Sequence, residues 1–268
     1  MKRLLAAGAA GAAAVVLAGC GAPDADKALR DTSRNLARIH SGDLSMRLVF
    51  RPEGGKGVGF SMEGPFALER RSRLPIARID YTQLAGAKQV PATLISTGSS
   101  AFVAVDGTTY RLPPGQAEAL RIVSPGASGL NGLQLDIGRW IADPDSGGGP
   151  DVGGDETWKL TGKLRIGSAL HDLFAEARKA GAGPVPSAKE AARLGDSVTD
   201  SSIELLTGRK DRLLRRVTVK ADLGVKDDAL REKLGAASGV SLEFELGVSK
   251  PNRSVRVHAP SKSQPLPQ

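Results

Sequence analysis

The stretch Val240-Ser241-Leu242-Glu243-Phe244-Glu245-Leu246-Gly247-Val248 carries an apolar side chain at every even position and a small or acidic residue at every odd one. Successive side chains of an extended strand point to opposite faces, so this segment has one dry face and one wet face. Antiparallel sheets covered on one side read this way, whereas strands buried on both sides are apolar throughout. The pattern recurs near the other end of the chain. Leu44, Met46, Leu48 and Phe50 share a face of a strand predicted over Leu44–Phe50. Val58, Phe60, Met62, Phe66 and Leu68 share a face of a second, predicted over Val58–Leu68. Arg47, Glu63 and Glu69 fall between them, and Pro52-Glu53-Gly54-Gly55 supplies turn chemistry.

Working outward, further strands are expected at Ala77–Leu84, Ala92–Thr97, Ala101–Val105 and Thr108–Leu112, with Asp106-Gly107 as a hairpin turn. In the second half, Trp158, Leu160, Leu164 and Ile166 oppose Thr157, Lys159, Thr161, Lys163 and Arg165. Strands resume at Ser202–Thr207 and Leu213–Leu223 around Gly208-Arg209-Lys210-Asp211, and a short last one is expected at Ser254–His258. Helical spacing marks Asp24–His40, through Leu29, Thr32, Leu36 and Ile39. It also marks Ala169–Lys179, through Leu170, Leu173, Phe174 and Ala177, with Ser168 as cap. Gly138-Arg139-Trp140-Ile141 reads as one helical turn, and short helices are expected at Gln116–Ile122, Ser187–Leu194 and Asp227–Leu234. The Gly-rich run Asp145–Gly154 reads as a surface loop, and its carboxylates match no calcium-loop spacing.

About ten strands with a common apolar face and few long helices describe an α+β fold in which a broad antiparallel sheet curves around something. Two fillings are open: the chain's own helices, or an apolar ligand of the kind curved sheets enclose.

The N-terminus places Lys2 and Arg3 before an apolar run from Leu4 to Leu17, followed by Leu17-Ala18-Gly19-Cys20 with the only cysteine of the chain. A basic start, an apolar core and a small-residue site make a secretory signal. The core is shorter than the about 20 residues that span a bilayer. Leu-Ala-Gly-Cys resembles the bacterial lipobox. That resemblance implies cleavage before Cys20 and acylation of its thiol, hence an extracytoplasmic protein held to the cell membrane by lipid. The expected layout is a signal peptide over 1–19, a lipidated tether over 20–23, one domain over 24–259 and a disordered Pro- and Ser-rich tail over 260–268. A single cysteine allows no internal disulfide, so packing alone must hold the fold outside the cytoplasm. The formal charge of +8, to which Lys2 and Arg3 contribute, suits a solvated basic surface or contact with anionic headgroups. Nucleic acid is excluded as a partner by compartment and by an aromatic content of 4%, too low for stacking platforms.

Taken in order, several stretches resemble the actinobacterial lipid-carrier lipoproteins of the LppX/LprAFG type. They are the Cys20 lipobox, the Phe102–Leu112 hairpin, Arg139-Trp140-Ile141-Ala142-Asp143-Pro144, Trp158-Lys159-Leu160-Thr161-Gly162 and Leu213-Leu214-Arg215-Arg216. Phe244-Glu245-Leu246 through Pro251 to Val255-Arg256-Val257 completes the series. The resemblance implies a LolA-like fold: a strongly curved antiparallel half-barrel with helices covering its concave face. It also implies an acylated lipid or lipoglycan as ligand, and a lipid exporter as a further partner. The residues expected to line the lipid cavity are Leu48, Phe50, Phe60, Met62, Phe66, Leu160, Leu164, Leu242 and Phe244, with Leu170, Leu173 and Phe174 closing it. The same residues equally suit an ordinary core. LolA-like folds are also similar to periplasmic stress-sensing modules, which leaves a second reading: an interaction or sensor lipoprotein that recognises a protein with its curved sheet. No catalytic, metal or cofactor site is expected. His40, His171 and His258 stand alone, and Ser99-Ser100 lacks the setting of a nucleophile.

Overall fold

In the computed structural model, which describes residues 22–68, 74–86, 88–117, 130, 135–179, 197–224, 231 and 237–267, the alternating segments pair into one sheet of twelve strands. In chain order these are β1 (Ser41–Pro52), β2 (Val58–Ala67), β3 (Ile76–Ala85), β4 (Lys88–Thr97), β5 (Ala101–Val105) and β6 (Thr108–Arg111), then β7 (Ile141–Val152), β8 (Asp155–Leu164), β9 (Val198–Gly208), β10 (Leu214–Gly224), β11 (Gly239–Ser249) and β12 (Gln264–Pro265). The spatial order is β12-β6-β5-β4-β3-β2-β1-β11-β10-β9-β8-β7. All neighbours are antiparallel except β12 and β6, and the sheet is not closed. It consists of two meanders joined at the middle, where the first long strand meets the last: Leu48 faces Phe244 and Phe50 faces Leu242. The β5–β6 turn has positive φ at Asp106 (50°) and Gly107 (75°), the primed geometry that matches strand twist.

Three expectations give way here. Asp145–Gly154 is not a loop: most of it belongs to β7, with Ser146 opposite Leu160 and Gly148 opposite Trp158. Its glycines are poor strand formers, yet β8 offers an unpaired edge. Pro144 and Pro150 are tolerated because β7 is an outermost strand. The Thr157 hydroxyl donates to the Pro150 carbonyl at 2.6 Å, and a Cβ on Gly149 would lie 2.4 Å from that hydroxyl. Ser254–His258 forms no strand. Instead Asn252 N–H donates to the Ser41 carbonyl at 2.8 Å and the Ser41 hydroxyl to the Arg253 carbonyl at 2.6 Å, so the chain leaves the ladder at that point. The tail is not structureless, since Gln264 and Pro265 pair with Tyr110 and Arg111. The eleven segments read as strands lose Ser254–His258 and gain β7 and β12, which makes twelve where about ten were expected.

Two glycines let β2 approach both neighbours. A Cβ on Gly59 would meet the Leu48 carbonyl oxygen at 1.9 Å, and one on Gly64 the Arg78 carbonyl oxygen at 2.0 Å, with φ of +157° and +144°. No L side chain fits either position.

The helices lie on the apolar face. Helix α1 (Ala25–Asn35) starts at Asp24, whose carboxylate accepts from Lys27 N–H at 2.6 Å, and ends in a 3₁₀ turn over Leu36–Arg38. Its Ala28 and Leu29, with Leu36 and Ile39, join a core that includes Leu160, Leu205, Val217, Phe244 and Leu246. The short α2 (Ile137–Trp140) buries Trp140 completely, edge-on to Phe244 at 6.0 Å. Helix α3 (Ile166–Lys179) starts before Ser168, because the Arg165 carbonyl already accepts from Ser168 and Ala169 N–H. Its Ile166, Leu170 and Phe174 pack on Ala221, Leu223 and Leu242. Asp172 ties α3 to α2: one carboxylate oxygen accepts from the Trp140 indole at 2.9 Å and from Asp136 N–H at 3.1 Å. His171 beside it is exposed. The helix expected at Ser187–Leu194 lies outside the described residues, as do most of Gln116–Ile122 and Asp227–Leu234.

The opposite face is polar, with Arg51 beside Glu243 and Lys159 beside Glu204. Arg215 is the buried charge on that side among the described residues. At a bulge in β10 it is 3% exposed, and it donates to Asp155 at 3.0 Å, Asp211 at 2.8 Å and the Leu213 carbonyl at 3.1 Å. It thereby fastens the β7–β8 hairpin to the β9–β10 hairpin.

Candidate functional site: a half-covered apolar face

Ladder pairing arranges the even-face side chains in rows across the sheet. One row runs Ile203, Val219, Phe244, Leu48, Phe60, Gln83, Val90. Its first three members are 3%, 0% and 2% exposed, Leu48 and Phe60 are half-buried, and Val90 is 46% exposed. The next row runs Leu205, Val217, Leu246, Met46, Met62, Tyr81, Ala92 and opens in the same direction. The cause is the placement of the helices. Helices α1 to α3 pack over β8–β11, and their cover thins at β1. Phe174 of α3 reaches only to Phe50, ring centroids 6.3 Å apart. Beyond it Phe60 stacks with Tyr81 at 6.2 Å, and Val58 is 46% exposed.

This face bears almost no charge. Asp43, Arg47, Arg51, Glu63, Arg78 and Asp80 all alternate onto the other side of β1–β3. Among the described residues of β1–β4, Lys88 at the very start of β4 is the one charged side chain on the apolar side. A partly exposed apolar surface with so little charge favours contacts that exclude water.

The residues expected to line a cavity lie on this face or on α3 above it, and they separate into two sets. Phe66, Leu160, Leu170, Leu173, Phe174, Leu242 and Phe244 are closed within the packed core. Leu48, Phe50, Phe60, Met62 and Leu164 are half-buried at its margin. The described clefts, the larger of about 740 and 660 Å³, are lined by other residues. Cys20 lies outside the described residues. Leu44, Met46, Val58, Tyr81, Val90 and Leu94 also belong to the open face. The alternation marks several of them, but only the register shows which lie beyond the reach of the helices.

Comparison with solved structures follows from the sheet order. The chain is similar to LprF from Mycobacterium bovis. The alignment covers 90% of this chain and 100% of that one, at 15% identity and a TM-score of 0.48. LppX, a lipoprotein of Mycobacterium tuberculosis, aligns over 87% of this chain and 97% of its own, at 14% identity and a TM-score of 0.44. A LolA superfamily protein from Nitrosomonas europaea aligns over 87% and 95%, at 8% identity and a TM-score of 0.22. LprF and LppX are of the lipoprotein type that the sequence resembles. No family profile and no curated protein sequence matches the chain.

Proposed function

We propose that the protein is an extracytoplasmic lipoprotein, anchored through an acylated Cys20, that holds an acylated lipid or lipoglycan against the open apolar face of β1–β4 and helps move it through the envelope. The observation that carries this reading is the uncharged, half-buried surface of Leu48, Phe50, Phe60, Met62 and Tyr81, continuous with the core, which the described helices meet only at its margin, where Phe174 stacks on Phe50. In this reading the sheet's apolar side is the concave side of a half-barrel. Each methylene withdrawn from water there contributes about 0.8 kcal/mol, so chain length is read loosely while the headgroup stays at the rim. Met46 and Met62 suit irregular chains because the thioether side chain adapts its rotamers. No helix of the described residues is long and apolar enough to cross a membrane. The reading contains no catalytic step and no cofactor.

The test is native mass spectrometry of a chain beginning at Ala22, followed by solvent extraction. Lipid at near one-to-one ratio is expected, and Phe60→Asp, which places a charge on the open face, lowers occupancy several-fold with the folded near-UV spectrum kept. A lipid-free mass with no uptake from vesicles overturns the carrier reading, and the same face is then sought as a docking surface for a protein.

A further inference from the structure

A second surface lies at the far edge of the sheet, away from β1–β4. The Ser146 hydroxyl donates to the Pro23 carbonyl at 2.6 Å, which pins the chain against β7 three residues after Cys20. Three residues span at most about 10 Å, so an acyl group on Cys20 would bring the membrane to this edge. Along β7, Pro144, Ser146 and Gly148 follow at every second residue, roughly 7 Å apart. Pro144 borders the cleft of about 740 Å³ between α1 and the α2–β7 corner. Gly148 pairs with Trp158, over whose ring the Arg209 guanidinium stacks at 4.3 Å.

The cleft is lined by Arg30, Arg34 and Arg165 and by Asp26, Asp136 and Asp143. Most of these charges are already matched. Arg34 pairs with Asp31, Arg139 with Asp136 and Lys163 with Asp143. The exposed guanidiniums of Arg30 and Arg165 make no hydrogen bond or ion pair among the described residues, and Asp26 is the one lining carboxylate left unmatched. Two guanidiniums without a hydrogen-bond partner line one cleft, Arg165 also acting on Asp143 through its charge, and such forks fit a phosphate. Trp158 with its arginine is the residue pair expected at a headgroup boundary.

We propose that Arg30 and Arg165 receive the phosphate of an anionic phospholipid headgroup in the cleft beside α1, so that the β7 edge of the sheet rests on the membrane. The inference uses the acylation of Cys20 to place the bilayer. It concerns the membrane itself rather than the carried lipid, which lies on strands at the other end of the sheet.

The experiment uses the chain beginning at Ala22, which keeps every described residue of the fold and has no Cys20, so that binding does not depend on acylation. Vesicles of phosphatidylglycerol and of phosphatidylcholine are titrated while Trp158 emission is followed; Trp140 is fully buried and contributes a constant background. Binding to the anionic vesicles with a blue shift is expected. Arg30→Gln with Arg165→Gln weakens it tenfold or more, since each basic residue at such a surface is worth about five-fold. Lys220→Gln, an exposed residue on the polar face of β10, serves as the charge control and leaves binding unchanged. Equal binding to both vesicle types, or equal loss in the Lys220 control, overturns the proposal. So does Arg30- and Arg165-dependent binding of inorganic phosphate without vesicle binding, which identifies a soluble anion as the ligand. Phe60→Asp leaves this assay unmoved but lowers lipid occupancy, so the two readings fail separately.

Discussion

Replacement of Asp172 by leucine removes the tie between α2 and α3. One carboxylate oxygen accepts both the Trp140 indole N–H and the Asp136 amide. Trp140 is 0% exposed, so its N–H gains no water when the acceptor goes. Hydrogen bonds to charged groups contribute about 1.5–3 kcal/mol each, and an unsatisfied buried donor costs about 1–3 kcal/mol. Asp172→Leu is therefore expected to destabilise by roughly 3–5 kcal/mol, a large part of the 5–15 kcal/mol typical of a domain. Asp172→Asn keeps an acceptor of the same shape and costs about 1 kcal/mol. The assay is urea unfolding followed by far-ultraviolet circular dichroism, a signal that every variant keeps whether or not it carries a tryptophan. Asp172→Leu is then repeated in a Trp140→Phe background, where the indole donor is gone and the loss shrinks by about 1–2 kcal/mol. A leucine variant as stable as the asparagine variant, or an undiminished loss in the Trp140→Phe background, refutes the account of Asp172 as an acceptor for a buried indole.

Two further predictions concern the sheet and its edge. Gly59→Ala is expected to destabilise by about 2 kcal/mol or more, because its Cβ would lie 1.9 Å from the Leu48 carbonyl oxygen, while Gly147→Ala stays within about 0.5 kcal/mol because nothing lies within 4 Å of its Cβ; denaturant midpoints compare them. The hydrogen bond and charge of Lys163, with Arg165 adding to them, hold the exposed Asp143 carboxyl below the ordinary carboxylate value. Its stabilising contribution is thus present above the unfolded-state value and fades as pH falls through the lower folded one, and Lys163→Met should raise its titration midpoint, read by carboxyl-carbon NMR.

The sheet was most legible where each strand has one face in the core. Leu242, Phe244 and Leu246 on β11 and Leu48 and Phe50 on β1 announce their face by parity alone, and their register then follows from which rows must be dry. Parity failed at β7, where Gly147, Gly148 and Gly149 carry no pattern and the strand exists because β8 offers it a partner. It misled at Ser254–His258, where Val255 and Val257 alternate correctly but the chain has already turned away from the ladder. The candidate site was half legible for a related reason. Alternation tells which way Phe60 or Phe244 points, but not how far a helix extends above it. That depended on α3 crossing β10 and β11 and stopping at Phe50, a matter of tertiary placement.

The pairing of β1 with β11 sets the order in which the molecule can assemble. Residues 41–52 leave the ribosome long before residues 239–249. Until the last long strand arrives, β1 presents an unpaired edge. Contacts this distant in sequence form slowly, and open strand edges invite association with other chains. In synthesis order the N-terminal meander is therefore complete first, as a hairpin stack with one raw side, and that side stays open to other chains until the C-terminal meander docks and seals the centre of the sheet.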